Sequence, residues 1–119
     1  MRSRRQGGGW GGERGSVTAE LAVALPAALL ALLLGVGALS AAATQVALQD
    51  AAADAARLLG RGDSATRAAG VVSTAVDGAR LSARRAGDLI CAAASAEVRL
   101  GRIITVPLRA ESCALDGGL

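Results

Sequence analysis

The sequence contains no histidine, no lysine, no tyrosine and no phenylalanine, and Trp10 is its one aromatic residue. Without histidine, lysine or tyrosine, the usual proton shuttles and bases are missing. No phosphate-cradling loop or dinucleotide fingerprint occurs either. The chain therefore reads as no enzyme, with no catalytic residues, no cofactor and no small-molecule substrate. Two cysteines are the only soft ligands, and two thiolates alone do not make a zinc site, so no metal is expected. The apolar fraction is 52%, but alanine, valine and leucine supply most of it. Alanine offers little area to bury, so a deep soluble core is not expected in 119 residues, which hold one small domain at most.

Charge is unevenly placed. Residues 1–15 hold Arg2, Arg4, Arg5 and Arg14 against Glu13, a net +3. Residues 16–119 hold nine arginines and nine acidic residues. The whole excess thus precedes an apolar run, Leu21–Leu39, that contains no charged or polar side chain. A nucleic-acid-binding protein would spread basic charge over a folded face, so no direct nucleic-acid binding is expected. Nineteen helical residues span roughly 28 Å, close to a hydrocarbon core of about 30 Å. The run reads as a single-pass transmembrane helix. Too little other apolar bulk is present to surround it as the buried helix of a soluble protein. Basic flanks stay cytoplasmic, which puts the N-terminus inside and the chain beyond about residue 43 outside.

The remaining organisation follows from punctuation. Residues 1–15 are rich in Gly and Arg, lack periodicity and read as an irregular basic leader. Ser16 is a candidate N-cap for the helix that follows. Leu48, Ala52, Ala55 and Leu59 recur at helical spacing, so the helix is expected to continue beyond the membrane over 16–60. Gly60-Arg61-Gly62-Asp63 breaks it. The Arg61-Gly62-Asp63 tripeptide is turn chemistry in an Arg- and Gly-rich chain. A short second helix is predicted from Ser64 to about Asp77, capped by Asp63 and ended by Gly78, with Ala65, Ala68, Val72, Val76 and Ala79 on one face. Beyond Arg80 the period shifts toward two, and Leu81–Arg85, Leu89–Val98 and Ile103–Cys113 read as strands. The predicted fold is α+β: a long N-terminal transmembrane helix continuing outside the membrane, a short second helix, and a small antiparallel sheet of about three strands within an extracytoplasmic domain, 61–119.

The cysteines test that layout. If Cys91 faces Cys113 across an antiparallel pair, the midpoint is residue 102, where Leu100-Gly101-Arg102 already signals a turn. Two independent cues agree on one register, and an exported chain is in the right compartment for a disulfide. Two buried free thiols are the alternative reading.

One acidic residue stands apart. Glu20 lies immediately before Leu21, where a carboxylate is costly unless it has a partner or a task. A position in the first helical turn, facing the positive end of the dipole, is the plainer account. The surrounding residues point further. Glu13-Arg14-Gly15-Ser16-Val17-Thr18-Ala19-Glu20-Leu21, running into the apolar helix, resembles the type IV prepilin processing site. More narrowly, Gly-Ser-Val-Thr-Ala-Glu-Leu-Ala-Val-Ala-Leu-Pro at 15–26 and Asp-Ala-Ala-Ala-Asp-Ala-Ala-Arg at 50–57 resemble the TadE-like pseudopilins, minor pilins of tight-adherence pilus systems. The resemblance covers about residues 13–59. It implies cleavage between Gly15 and Ser16 by a membrane prepilin peptidase, on the cytoplasmic side. It also implies pairing of Glu20 with the new N-terminal amine of a neighbouring subunit. The partners it implies are other pilin or pseudopilin subunits and the assembly platform. The protein would reside in the cell membrane, single-pass, and later in an extracellular pilus. Two rivals stand beside it: a secretory precursor cut by signal peptidase near Ala42, releasing a small disulfide-bonded module, and an uncleaved single-pass scaffold of an export complex.

Overall fold

The computed structural model describes residues 8–117, with side chains from residue 15 onward. Its elements are α1 (Gly8–Gly60), α2 (Ala65–Ala75), β1 (Arg80–Ala86), β2 (Leu89–Leu100) and β3 (Ile104–Leu115). The architecture is the expected α+β one: a long apolar N-terminal helix, a short second helix, and a three-stranded antiparallel sheet ordered β1-β2-β3. The chain divides into two compact units, one ending at Gly37 and the other spanning Ala38–Leu119.

In the first unit, residues 15–36 are exposed on every face of the helix. Val23 is 74% and Leu34 71% exposed. A helix apolar all round has no side suited to water. α1 is long and apolar enough to cross a membrane. Pro26 lies inside it, where its ring nitrogen has no hydrogen for the Ala22 carbonyl, a loss that membrane helices tolerate. α1 begins at Gly8, so Ser16 sits within the helix and does not cap it. Extending an existing helix costs far less than nucleating one, and that carries the helix back across glycines that would not start it. Residues 1–7 of the expected leader lie outside the described residues.

The second unit holds the core. Its buried cluster takes Leu48, Ala51, Ala52, Ala55, Ala56 and Leu59 from α1, Ala68 and Val72 from α2, and Ala79 from the following turn. Ile90, Ala92, Ala94 and Ala96 of β2 and Ala110 of β3 complete it. Ten of these fourteen side chains are alanine. The anticipated positions Leu48, Ala52, Ala55 and Leu59 are all buried. Helix α2 is capped by Ser64 and not by Asp63: the Ser64 hydroxyl accepts the Arg67 N–H at 3.2 Å. An N-cap side chain reaches the third helical N–H, and Asp63 is one residue too early for that. It pairs with the Arg67 guanidinium at 3.4 Å instead. The helix ends at Ala75 with Val76 already extended, two residues short of expectation, and Gly78 (φ 75°) turns the chain into β1. Ala65, expected on the packed face, is exposed in the first turn.

The sheet follows the sequence pattern with ends displaced by one to two residues. Ala86 pairs with Leu89, leaving a two-residue turn, Gly87-Asp88, whose Gly87 has φ 62° as a type II′ turn requires. Leu100 pairs with Ile104, leaving Gly101-Arg102-Ile103 at the second turn, centred on residue 102. Even-numbered β2 and β3 residues face the helices; odd-numbered ones face outward.

β3 is an edge strand, and α1 lies along it. Gln45 Nε2 donates to the Arg109 carbonyl at 2.9 Å, and Gln49 Nε2 to the Glu111 carbonyl at 3.1 Å. Four helical residues rise about 6 Å and two strand residues about 6.8 Å, so a glutamine pair at i, i+4 matches outward carbonyls at i, i+2. Pro107, which has no N–H, occupies the same outward-bonding set. At the far end the Gly117 N–H donates to the Gly60 carbonyl at 2.7 Å. A Cβ at Gly60 would stand 2.6 Å from the Leu115 carbonyl oxygen. Gly60→Ala is expected to push the end of α1 off β3 and cost about 1–3 kcal/mol. Denaturant unfolding in detergent, monitored by circular dichroism, measures this; an unchanged midpoint would show that the close approach does not fix the helix end.

Candidate functional site

The sequence singled out two groups of residues, and the structure places them in different units. Gly15, Ser16 and Glu20 lie in α1, exposed, before the apolar run. A Cβ built at Gly15 meets nothing within 4 Å, so the Gly15–Ser16 peptide is approachable from the side of Gly15. Five of the eight helical positions 8–15 are glycine. Each disfavours helix by about 1 kcal/mol relative to alanine, so these two turns are held more weakly than an alanine-rich stretch of the same length. Ser16 and Glu20 are four residues apart, one turn along the same face. Side chains on a helix lean toward its N-terminus, so the Glu20 carboxylate is carried back toward the Ser16 turn.

In the other unit, Cys91 and Cys113 are direct cross-strand partners and form a disulfide, with S–S 2.02 Å and Cα–Cα 4.0 Å. So short a Cα separation marks a pair without mutual backbone hydrogen bonds. The odd-numbered carbonyls of β3 therefore point away from β2, and these are the ones that Gln45 and Gln49 engage. Cys91 is buried, while Cys113 is exposed on the outward face of the sheet. Arg84, the β1 neighbour of Cys91, reaches across to Glu111 at 2.7 Å. Arg109 approaches the same carboxylate at 3.7 Å. Donor atoms of Cys91, Glu111 and Cys113 lie within 4.8 Å of one another. This set does not suit a cation: the sulfurs are bonded to each other and offer no thiolate, and Glu111 is held by arginines.

Sequence reasoning did not find Gln45 and Gln49, whose spacing of four on the helix was the available signal. It also did not find the Arg84–Glu111 pair, which depends on all three strands lying in register. No family model, curated protein or solved structure matches the chain. The disulfide closes a separation of 22 residues. By loop-closure entropy its removal in the Cys91→Ser/Cys113→Ser variant should cost about 3 kcal/mol. Unfolding of the variant and of the native chain with and without reductant measures this. The reduced native chain should match the variant, and no difference from the oxidised protein would remove the disulfide from the stability of the unit.

Proposed function

We propose that the chain is a minor pilin or pseudopilin subunit of a tight-adherence, type IV-related pilus or secretion apparatus. The observation that carries this reading is the placement of Gly15-Ser16 and Glu20 on an exposed, weakly held stretch of helix at the mouth of an apolar membrane-length helix. A prepilin peptidase would cut after Gly15 on the cytoplasmic side, where the arginine-rich leader keeps the N-terminus. The small Gly15 and the glycine-weakened helix supply the extended backbone a peptidase must grip. Cleavage makes Ser16 the N-terminus and leaves its new amine near Glu20. In a bundle of apolar helices an unpaired carboxylate is expensive, and pairing with the amine of a neighbouring subunit relieves it. The chain beyond about residue 43, with the sheet and both cysteines, then lies outside the membrane, where a disulfide persists. The assembly platform and other pilin subunits are the partners of this reading.

The N-terminus of the membrane-fraction protein tests it directly. Edman or mass-spectrometric analysis should return Ser16, and Gly15→Phe should leave the leader in place. An intact Met1 in the mature protein would point to an uncleaved anchor. A first residue near Ala42–Thr44 would point to release by signal peptidase, which leaves the core and both cysteines in one piece. Glu20→Ala should insert normally yet lower the yield of assembled filament at least about tenfold, since leaving one member of a desolvated pair unpartnered costs more than 1.4 kcal/mol. Unchanged assembly would remove Glu20 from that role.

A further inference from the structure

The β2–β3 hairpin ends in a feature that neither the core nor the proposed processing site uses. Ile103 is 94% exposed and Ile104 53% exposed. They follow Arg102 in the turn, and Arg99 stands on the opposing strand as the partner of Thr105. Residues 99–104 contain two arginines and no acidic residue. Among the described residues Arg99 and Arg102, like Arg61 and Arg80, have no ion-pair partner, whereas Arg57, Arg67, Arg84, Arg85 and Arg109 do; only Arg99 and Arg102 stand beside exposed isoleucines. At the opposite end of the sheet Leu89 (38%) and Leu115 (62%) are exposed too, but the turn itself, Gly87-Asp88, is polar and acidic and no arginine lies within it.

Direction within the unit is decisive. Gln45 meets Arg109, Gln49 meets Glu111, and Gly60 meets Leu115, so α1 and β3 run the same way. From Arg109 back to Ile104 the strand covers about 17 Å. From Gln45 back to Ala38, the first residue of the unit, the helix covers about 10 Å. The hairpin tip therefore reaches at least as far as the end of the unit at which the apolar run Leu21–Leu39 joins it.

We propose that the tip of the β2–β3 hairpin docks on the lipid surface of the membrane that α1 crosses, with Ile103 and Ile104 in the interfacial layer and Arg99 and Arg102 on anionic headgroups. Exposed isoleucines gain apolar burial there, and long arginine stems let the guanidinium groups stay at the level of the phosphates. A polar turn would close the hairpin equally well, so turn geometry does not demand the two isoleucines. Such a contact gives the extracytoplasmic unit a second foothold besides the helix and fixes its rotation about α1. The inference depends on α1 crossing a membrane and is independent of cleavage at Gly15.

The test uses the full chain reconstituted in vesicles of phosphatidylcholine with about one-third phosphatidylglycerol, against phosphatidylcholine alone. Ile103→Trp and, separately, Asp88→Trp are made in a Trp10→Phe background, with circular dichroism and disulfide content confirming the fold. Ile103→Trp should show blue-shifted emission and loss of intensity to lipids brominated along the acyl chains, and Asp88→Trp should show neither. Adding Arg99→Gln and Arg102→Gln should reduce the quenching in the anionic vesicles to its level in phosphatidylcholine alone. Fully hydrated emission from Ile103→Trp in the anionic vesicles overturns the proposal. A blue shift without lipid quenching also overturns it, in favour of contact with a second copy of the chain. Quenching insensitive to the arginine changes overturns the headgroup pairing.

Discussion

The pairing of Cys91 with Cys113 is the constraint on which the rest of the second unit depends. A strand shifted by one residue turns every side chain to the other face. With these cysteines opposed, Ala92, Ala94 and Ala96 of β2 and Ala110 of β3 face the helices, while Arg84, Arg109 and Glu111 face outward. The same register decides which β3 carbonyls point to the strand edge, and so which ones the two glutamines of α1 can reach. A covalent bond thus holds in place a choice that an alanine core, with its small apolar areas, would enforce weakly.

The two units ask opposite things of one helix. From Leu21 to Val36, α1 presents apolar side chains in every direction and suits a medium without water. From Leu48 onward it has one buried stripe, with Asp50, Asp54 and Arg57 on its other faces. The edges of the sheet are managed by different means. β3 is covered by glutamine amides and interrupted by Pro107, and β1 carries Arg80, Arg84 and Arg85 along its short length. Unpaired strand edges are the usual route to unwanted association, and this unit offers little free edge for it.

Much of this was legible in the sequence because the signals were local or doubly determined. The apolar run needs only counting. The β2–β3 register was set by the glycine turn and by the cysteine spacing together, and either alone would have been weaker. Capping was misread at both helices. At Ser16 the helix extends backwards by propagation, which no local residue announces, and at Asp63 a carboxylate and a hydroxyl stood side by side with only a one-residue difference in reach. Gln45 and Gln49 could not be assigned because their partners are backbone carbonyls more than sixty residues away. Composition carries no trace of such a pairing. The Gly15-to-Glu20 pattern, by contrast, is wholly local, and its placement on the helix adds accessibility to what the residues already suggested.

The alanine core has a thermal consequence. An alanine side chain has no rotamers to lose, so ordering ten of them costs backbone entropy alone. It also exposes little new apolar surface when the unit opens, and apolar exposure is what raises the heat capacity on unfolding. A fold built this way has a shallow stability curve. Its resistance to unfolding changes slowly with temperature in both directions, and cooling weakens it less than it would a domain packed with leucine and phenylalanine.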